Sequence, residues 1–398
     1  MSQADDEYPG WGMDGARMHS REHGVTPDRW CITMHDLRLF RGQLEMAVAD
    51  GRVAPTDRDL FDPTDREIGP NMHTVVASYI KPLTASAGGM SWALLRHPGG
   101  LECDIFLTHS WSEGFYEFVG KVLASWPAGA KAAWCCVFAI PQNLDISDLI
   151  KNPRCSPFAM ALVKSSCLMV VPTRAASIYT RIWCIYEAFL AVDSGKTVFT
   201  ASSPISGLLK QSLLVGSVVV VPSMALGYAY SLQAYSGHAN LCALIDDNSA
   251  ALQLLAYWVA LPIRLPRISR GANLLCASAL ACNTGAQVRG HLECDRLDPR
   301  AVLNTLAIWV FLVAIEIDRL RALKQHGEAR RLRRKYGGVH EALSSCEEDR
   351  QNILRDIGSR AADVDKSIQV LIDSSMSTDS LRRAAERGVD LRNAGEMR

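Results

Sequence analysis

Short apolar runs alternate with segments of helical periodicity between Cys103 and Thr200, and this alternation constrains the fold more than any other feature of the chain. Four runs have the length and residue types of strands: Asp104–Thr108, Ala133–Phe138, Cys167–Val171 and Thr197–Thr200. Strands that alternate with helices form βαβ units, in which the strands run parallel and the helices cover the sheet. We therefore predict an α/β domain with an open, doubly wound parallel sheet over residues 98–203.

The helical segments between these runs each have one apolar face and recognisable ends. The first has apolar residues at helical spacing from Phe115 to Trp126, with Ser112 as its expected N-cap and Pro127 as its end. Ser156 and Pro157 are of the residue types that favour an N-cap and a first helical position. A third helix, ending near Gly195, is predicted from its apolar face: Ile182, Ile185, Tyr186, Phe189 and Leu190.

The remaining chain divides by composition into three segments. Residues 1–97 are predicted to be an N-terminal leader and flanking segment, to which no chemistry is assigned. Residues 208–318 are strongly apolar and poor in charge. Residues 319–398 are charged and helical in character, and we expect a C-terminal tail.

The apolar region contains four uncharged stretches that could cross a bilayer. A span needs roughly 17–25 residues, and the stretches are Ser212–Tyr230, Asn248–Ile263, Gly271–Val288 and Ala301–Ile315. Basic residues after the second and fourth stretches favour a cytoplasmic location for those ends, and so for the α/β domain and the tail. Two alternatives remain open: the stretches are core helices of a soluble protein, or Val215–Pro222 is a fifth strand.

Charge and cysteine content exclude several classes of protein. Lys and Arg together number 42, as do Asp and Glu, so the net charge is zero, and a nucleic-acid partner is not expected. The 12 cysteines include no C-x-x-C pair, which favours free thiols in a reducing compartment. The acidic start of the chain is not typical of a secretory signal. His19 and His23 lack the order of a zinc motif, and no metal site is predicted.

Two motifs in the α/β segment resemble those of the Toll/interleukin receptor-homology (TIR) domain. The first strand with its exit, Asp104-Ile-Phe-Leu-Thr-His-Ser110, resembles the family's opening motif of an aspartate, apolar residues and Ser-His/Tyr-Ser. Trp183-Cys-Ile-Tyr-Glu187 is similar to the family's W-x-x-x-E signature. The resemblance covers about a quarter of the chain and implies a flavodoxin-like sheet.

Two positions depart from the family pattern. Pro172 stands where the family usually has a serine after the third strand, and the loop from Pro141 to Pro153 lacks the common glycine-centred turn. We therefore do not infer from the resemblance that residues on this side of the domain contact a substrate.

The resemblance implies two activities, since TIR domains associate with one another as scaffolds and some hydrolyse NAD. The glutamate of W-x-x-x-E is essential in the latter, so Glu187 is the catalytic candidate, while Trp183, His109 and Ser110 are candidates for nucleotide contact. A carboxylate can stabilise the oxocarbenium-like state formed when the nicotinamide–ribose bond breaks. In open α/β sheets such a site lies at the carboxyl ends of the strands. Alternatively, Glu187 is a solvated carboxylate, Trp183 packs in the core, and His109 makes a local hydrogen bond.

We therefore expect a membrane-associated, TIR-like signalling or scaffolding protein that acts by self-association of its α/β domain and contacts membrane lipid. The alternative is an NAD glycohydrolase that uses Glu187, with NAD as substrate and no firm cofactor. A second alternative is a soluble, cytoplasmic α/β protein that binds a nucleotide without cleaving it.

Overall fold

The computed structural model describes residues 7–20, 22–172, 174, 177–234, 266–293, 299–334, 336–344 and 346–391. Within them the chain divides into two compact units. The first runs to Pro204 and resumes at Gln325, and the second comprises Ile205 to Lys324.

The first unit is an α/β structure built on a six-stranded mixed sheet with the order β1-β3-β2-β4-β5-β6. The strands are β1 (Cys31–Thr33), β2 (Ile105–Thr108), β3 (Ala132–Cys135), β4 (Cys167–Val170), β5 (Thr197–Thr200) and β6 (Met376–Ser377). The four central strands are parallel, as predicted, whereas β1 and β6 are antiparallel to their neighbours. The expectation of a wholly parallel sheet is therefore wrong at both edges.

The parallel strands follow the order of a doubly wound sheet. In chain order they lie second, first, third and fourth, so the winding reverses between β2 and β4. In sheets of this kind the crevice at the carboxyl ends of those two strands is the usual place for a ligand. Thr108 and Val170 are the residues at those ends, and they pair in register.

Sixteen α-helices are present in the described residues. Those of the first unit are α1 (Gly15–Met18), α2 (Met34–Ala49), α3 (Met72–Val75), α4 (Lys81–Ser86), α5 (Trp92–Arg96), α6 (Phe115–Ala124), α7 (Cys136–Ala139), α8 (Ser147–Ile150), α9 (Pro157–Lys164), α10 (Ile182–Asp193), α14 (Glu347–Ile357), α15 (Ala361–Ser374) and α16 (Asp379–Glu386). The others are α11 (Leu208–Ala234), α12 (Pro266–Glu293) and α13 (Pro299–Leu332), and α13 continues across the unit boundary.

One predicted helix start is confirmed and another is displaced. Ser156 caps α9, since its hydroxyl accepts a hydrogen bond from the amide of Ala159, and Pro157 is the first helical residue. Helix α6 begins later than predicted because Gly114, rather than Ser112, is its N-cap. A Cβ on Gly114 would lie 2.4 Å from the carbonyl oxygen of Ile68, so a residue with a side chain does not fit.

The second strand is shorter than predicted. β3 ends at Cys135, and the apolar residues from Cys136 to Ala139 form the short helix α7 instead. An apolar run of this kind does not distinguish strand from buried helix by its composition.

Both ends of the chain contribute to the core of the first unit. In the segment predicted as leader and flanking sequence, Trp30 and Phe40 are buried, and β1 pairs with β3. In the segment predicted as a tail, Ile353 and Leu371 are buried, and β6 pairs with β5. The α/β fold therefore extends well beyond residues 98–203.

The second unit consists of helices in its described residues. Val215–Pro222 lies inside α11, so the alternative of a fifth strand is wrong. Close approach of α11 and α12 depends on glycine, because a Cβ on Gly227 would lie 1.8 Å from the carbonyl oxygen of Cys282. Val220, Ala281 and Ile308 are buried in its small core.

Only one of the predicted spans meets the length and hydropathy of a membrane helix among the described residues. It is Ser212–Tyr230, nearly all of which lies within the helical stretch Leu208–Ala229, whose mean hydropathy is 1.8. The stretches Gly271–Val288 and Ala301–Ile315 lie within the helices α12 and α13. The stretch Asn248–Ile263 lies outside the described residues.

Candidate functional site

Glu187 is buried on helix α10, at the carboxyl ends of the parallel strands. Only 6% of the residue is exposed. The helix is buried almost all round, since α9 packs on one side and α14 and α15 on the other. The interpretation of Glu187 as a solvated surface carboxylate is therefore excluded.

The carboxyl group of Glu187 is incompletely hydrogen-bonded. Its Oε2 atom has no hydrogen-bond partner among the described residues. Burial raises the pKa of Glu187 to about 7, and the Thr108 hydroxyl and the positive charge of Arg181 act in the opposite direction. Buried polar atoms almost always have a partner, so an unpaired carboxylate oxygen is typical of functional sites.

His109, which is buried, and Cys136, which is half-buried, form a pair at the same edge of the sheet. His109 Nε2 lies 3.2 Å from Cys136 Sγ, and the two residues follow β2 and begin α7 respectively. Burial, with a smaller effect from the charge of Arg181, lowers the pKa of His109 to about 4. Burial together with the charge of Glu187 raises the pKa of Cys136 to about 12. The pair is therefore a neutral imidazole and a neutral thiol near pH 7.

The other two predicted contact residues have different surroundings. Ser110 is buried after β2, and its hydroxyl lies 2.9 Å from the hydroxyl of Ser112. Trp183 stacks on Phe158, and its indole nitrogen donates to Asp349 at 3.3 Å. The contacts of Trp183 are those of a packing residue.

Arg181 is a member of the site that the motif comparison did not single out. It is half-buried and immediately precedes α10, with no side chain capping the helix. Its charge acts on Glu187, His109 and Cys136. A sequence signal does exist, since Arg181 is a lone cation before a helix whose first turn contains no acidic residue.

A buried ionic cluster centred on Lys121 of helix α6 was not predicted from the sequence. Lys121 is fully buried, and its Nζ lies 2.9 Å from Glu117 Oε1, 3.5 Å from Glu328 Oε2 and 3.9 Å from Glu113 Oε1. Its Nζ also donates to the carbonyl oxygen of Pro172, at the end of β4. Neither oxygen of Glu113 accepts a hydrogen bond from any described residue, and burial raises its pKa well above the usual value.

The cluster links three parts of the first unit. Glu113 lies before α6, Lys121 on that helix and Glu328 at the end of α13. Arg174 and Arg331 supply further positive charge, to Glu117 at 2.9 Å and to Glu328 at 3.1 Å. The spacing of Glu117 and Lys121 predicts an ion pair on one helix, but nothing in the local sequence indicates Glu328.

No group of three metal-ligating side chains occurs among the described residues. A groove of about 370 Å³ lies between α15 and the residues after α16, lined in part by Lys366 and Asp373. None of the predicted site residues lines it.

No family model, no curated protein and no solved structure matches this chain. Its function is therefore inferred from the geometry of the site and from the motif resemblance.

Proposed function

We propose that the first unit is a glycohydrolase that cleaves the bond between nicotinamide and ribose in NAD, with Glu187 as its catalytic residue. The observation that carries the proposal is a buried carboxyl with an unpartnered oxygen at the ligand-binding edge of a doubly wound sheet. An unpaired carboxylate is costly in the interior, and functional sites are where such groups concentrate.

The reaction needs a negative charge beside the ribose. The C–N bond breaks and its electron pair leaves with nicotinamide, so positive charge develops on the ribose. The carboxylate of Glu187 stabilises that charge, and a water molecule then adds to the ribose and loses a proton, which gives ADP-ribose. With a pKa of about 7, Glu187 is partly ionised at neutral pH, and the positive charge of the substrate favours its ionised form.

The test is nicotinamide release from NAD by the full chain, wild type beside E187Q. We expect the substitution to reduce release by about 100-fold or more, as when one preorganised electrostatic group is removed from an active site. E348Q is the matched control because Glu348 is exposed on α14. Equal release by wild type and E187Q would refute the proposal. Nucleotide binding without release would favour the alternative of a binding protein.

A second candidate function is self-association of the α/β unit, as a signalling or scaffolding module would require. Two apolar residues three positions apart on α9 support it, since Met160 and Val163 are 37% and 52% exposed. Exposed apolar surface of this kind favours protein–protein contact.

Light scattering after size-exclusion chromatography would test this function. We expect the double substitution M160E/V163E to yield a smaller species than wild type at the same concentration. K164E is the control, because it changes the charge of an exposed neighbour without touching the apolar pair. Equal masses for wild type and the double variant would contradict association through α9.

We also propose that helix α11 anchors the protein in a membrane, with the α/β unit on the cytoplasmic side. Leu214, Val218 and Val221 recur on one helix face and are each 62% exposed. Exposed aliphatic side chains on a helix of this length are favourable in lipid and unfavourable in water. The basic residues from Arg319 to Arg334 favour a cytoplasmic location for the end of helix α13, where the chain re-enters the α/β unit.

A further inference from the structure

The guanidinium of Arg181 has no hydrogen bond and no ion pair among the residues that the structure describes, although the residue is half-buried. A guanidinium has five N–H donors in a rigid planar arrangement that matches carboxylate and phosphate oxygens. An arginine that is partly withdrawn from water without such a partner therefore suits an anionic ligand.

The backbone holds Arg181 in a defined position. The amide of Ile182 donates to the carbonyl of Leu343 at 2.9 Å, and the amide of Leu343 donates to the carbonyl of Thr180 at 2.8 Å. Arg181 itself is extended, with φ −104° and ψ 128°, at the point where α10 begins. Preorganisation of this kind is what a recognition residue needs, because little ordering remains to be done when the ligand binds.

Glu187 is the carboxylate whose charge Arg181 acts on, but the two side chains are not paired. Arg181 and Glu187 form no ion pair, and Glu187 Oε2 remains unpartnered. The cation and the carboxyl group are therefore available to two different parts of one ligand. The N-terminus of α10 has no side-chain cap and no acidic residue in its first turn, so its partial positive charge adds to that of Arg181.

A second unpaired group lies two residues before Arg181. The hydroxyl of Tyr179 is buried and has no hydrogen-bond partner among the described residues. Burial raises the pKa of Tyr179 well above its usual value, and the charge of Glu187 contributes. The phenol is therefore a neutral donor beside Glu187.

We propose that Arg181 and the N-terminus of α10 bind the diphosphate of a dinucleotide, and so select NAD over a nucleoside that lacks phosphate. This inference rests on the proposed function, because it names how the same site recognises its substrate. Glu187 then faces the ribose while Arg181 holds the phosphates. Arg181 is a specificity-determining residue here and takes no part in bond cleavage.

Binding of ADP and of adenosine, measured by titration calorimetry on the full chain carrying E187Q, tests the proposal without turnover. We expect ADP to bind at least tenfold more tightly than adenosine. Adding R181M should weaken ADP binding at least tenfold and leave adenosine binding unchanged, whereas R181K should restore part of the loss. R355M is the control, because Arg355 is exposed on α14 and also carries one positive charge.

Equal affinity for ADP and adenosine would overturn the proposal, as would unchanged ADP binding in R181M. A melting temperature within a degree or two of the parent confirms that R181M is folded. The two proposals fail separately. If ADP binding depends on Arg181 but the wild-type protein releases no nicotinamide, the phosphate site stands and the proposed hydrolysis of NAD is refuted. If R181M releases nicotinamide with the same KM for NAD as wild type, the hydrolysis stands and the phosphate site is refuted.

Discussion

Among single residues, burial sets the chemistry of Glu187 more than charge does. The W-x-x-x-E resemblance was sufficient to nominate this glutamate, and the structure places it at the carboxyl edge of the sheet. Its burial was not predictable from the helical stripe, because it depends on a segment distant in sequence, the end of β2 with Thr108. Arg181 has a local sequence signal, as a cation before an uncapped helix, but its importance depends on the residues that surround it in three dimensions.

We expect E187Q to stabilise the protein at high pH and to have less effect in acid. The folded pKa of about 7 lies above the ordinary value of 4.5, so the folded state holds a proton that the unfolded state has lost between these values. Stability therefore falls as pH rises from about 4.5 to 7 and is constant above. The full difference is about 3 kcal/mol.

Thermal unfolding of wild type and E187Q at pH 5 and pH 8 measures this effect. The advantage of the variant should be greater at pH 8, while E348Q should behave as wild type at both. A difference between E187Q and wild type that does not change with pH would show that Glu187 titrates normally.

The pH dependence of turnover follows from the same pKa. Because the proposed reaction uses the ionised carboxylate, kcat/KM for NAD should rise with pH up to about 7 and then level off. Steady-state rates of nicotinamide release between pH 5 and pH 9 give the profile. A rate that falls over this range would require a protonated Glu187 and a different role for it.

At the level of elements, local signals predicted what lies within one segment and missed what depends on pairing between distant segments. Ser156 and Pro157 were sufficient to place the start of α9. β1 and β6 have three and two residues, too few to show a strand period, and their partners β3 and β5 lie far away in sequence. The ionic cluster was missed for the same reason, because Glu328 and Lys121 are 207 residues apart.

We expect K121M to destabilise the first unit by about 3–5 kcal/mol, the usual cost of leaving a buried charge without its partner. Glu117 and Glu328 would lose the ammonium group that lies 2.9 and 3.5 Å from them. Chemical denaturation followed by tryptophan fluorescence measures the change. K164M is the control because Lys164 is exposed.

Neutralising the carboxylates gives the complementary test. Adding E117Q and E328Q to K121M should recover part of the lost stability, because the interior then holds fewer negative charges that have lost the lysine ammonium group. No recovery would mean that Lys121 stabilises the unit by packing alone.

At the scale of the whole molecule, the chain consists of an α/β unit and a helical unit that differ in their exposed surfaces. The hydropathy of residues 208–318 correctly indicated helices where the structure describes them, and of that part only Leu208–Ala229 has the length and hydropathy of a span. Composition could not decide the others, because buried helices and membrane helices share it.

We expect the full chain to float with lipid vesicles in a density gradient. The triple substitution L214E/V218E/V221E should move most of the protein to the soluble fraction, because each charge opposes transfer of α11 into lipid. The triple substitution Q351E/S359E/A362E, at exposed positions of the first unit, is the control because it adds the same charge without changing α11. Flotation that the triple variant retains would exclude α11 as the anchor.

The helical unit is an insertion, because the chain leaves the α/β unit at Pro204 and re-enters it at Gln325. A single folded body lies on one side of a bilayer, so both of these junctions lie on the same side. The number of complete crossings between them must therefore be even. If Leu208–Ala229 crosses the membrane, another segment of the insertion must cross back, and a chain with one crossing could not complete its own sheet, whose last strand follows the insertion.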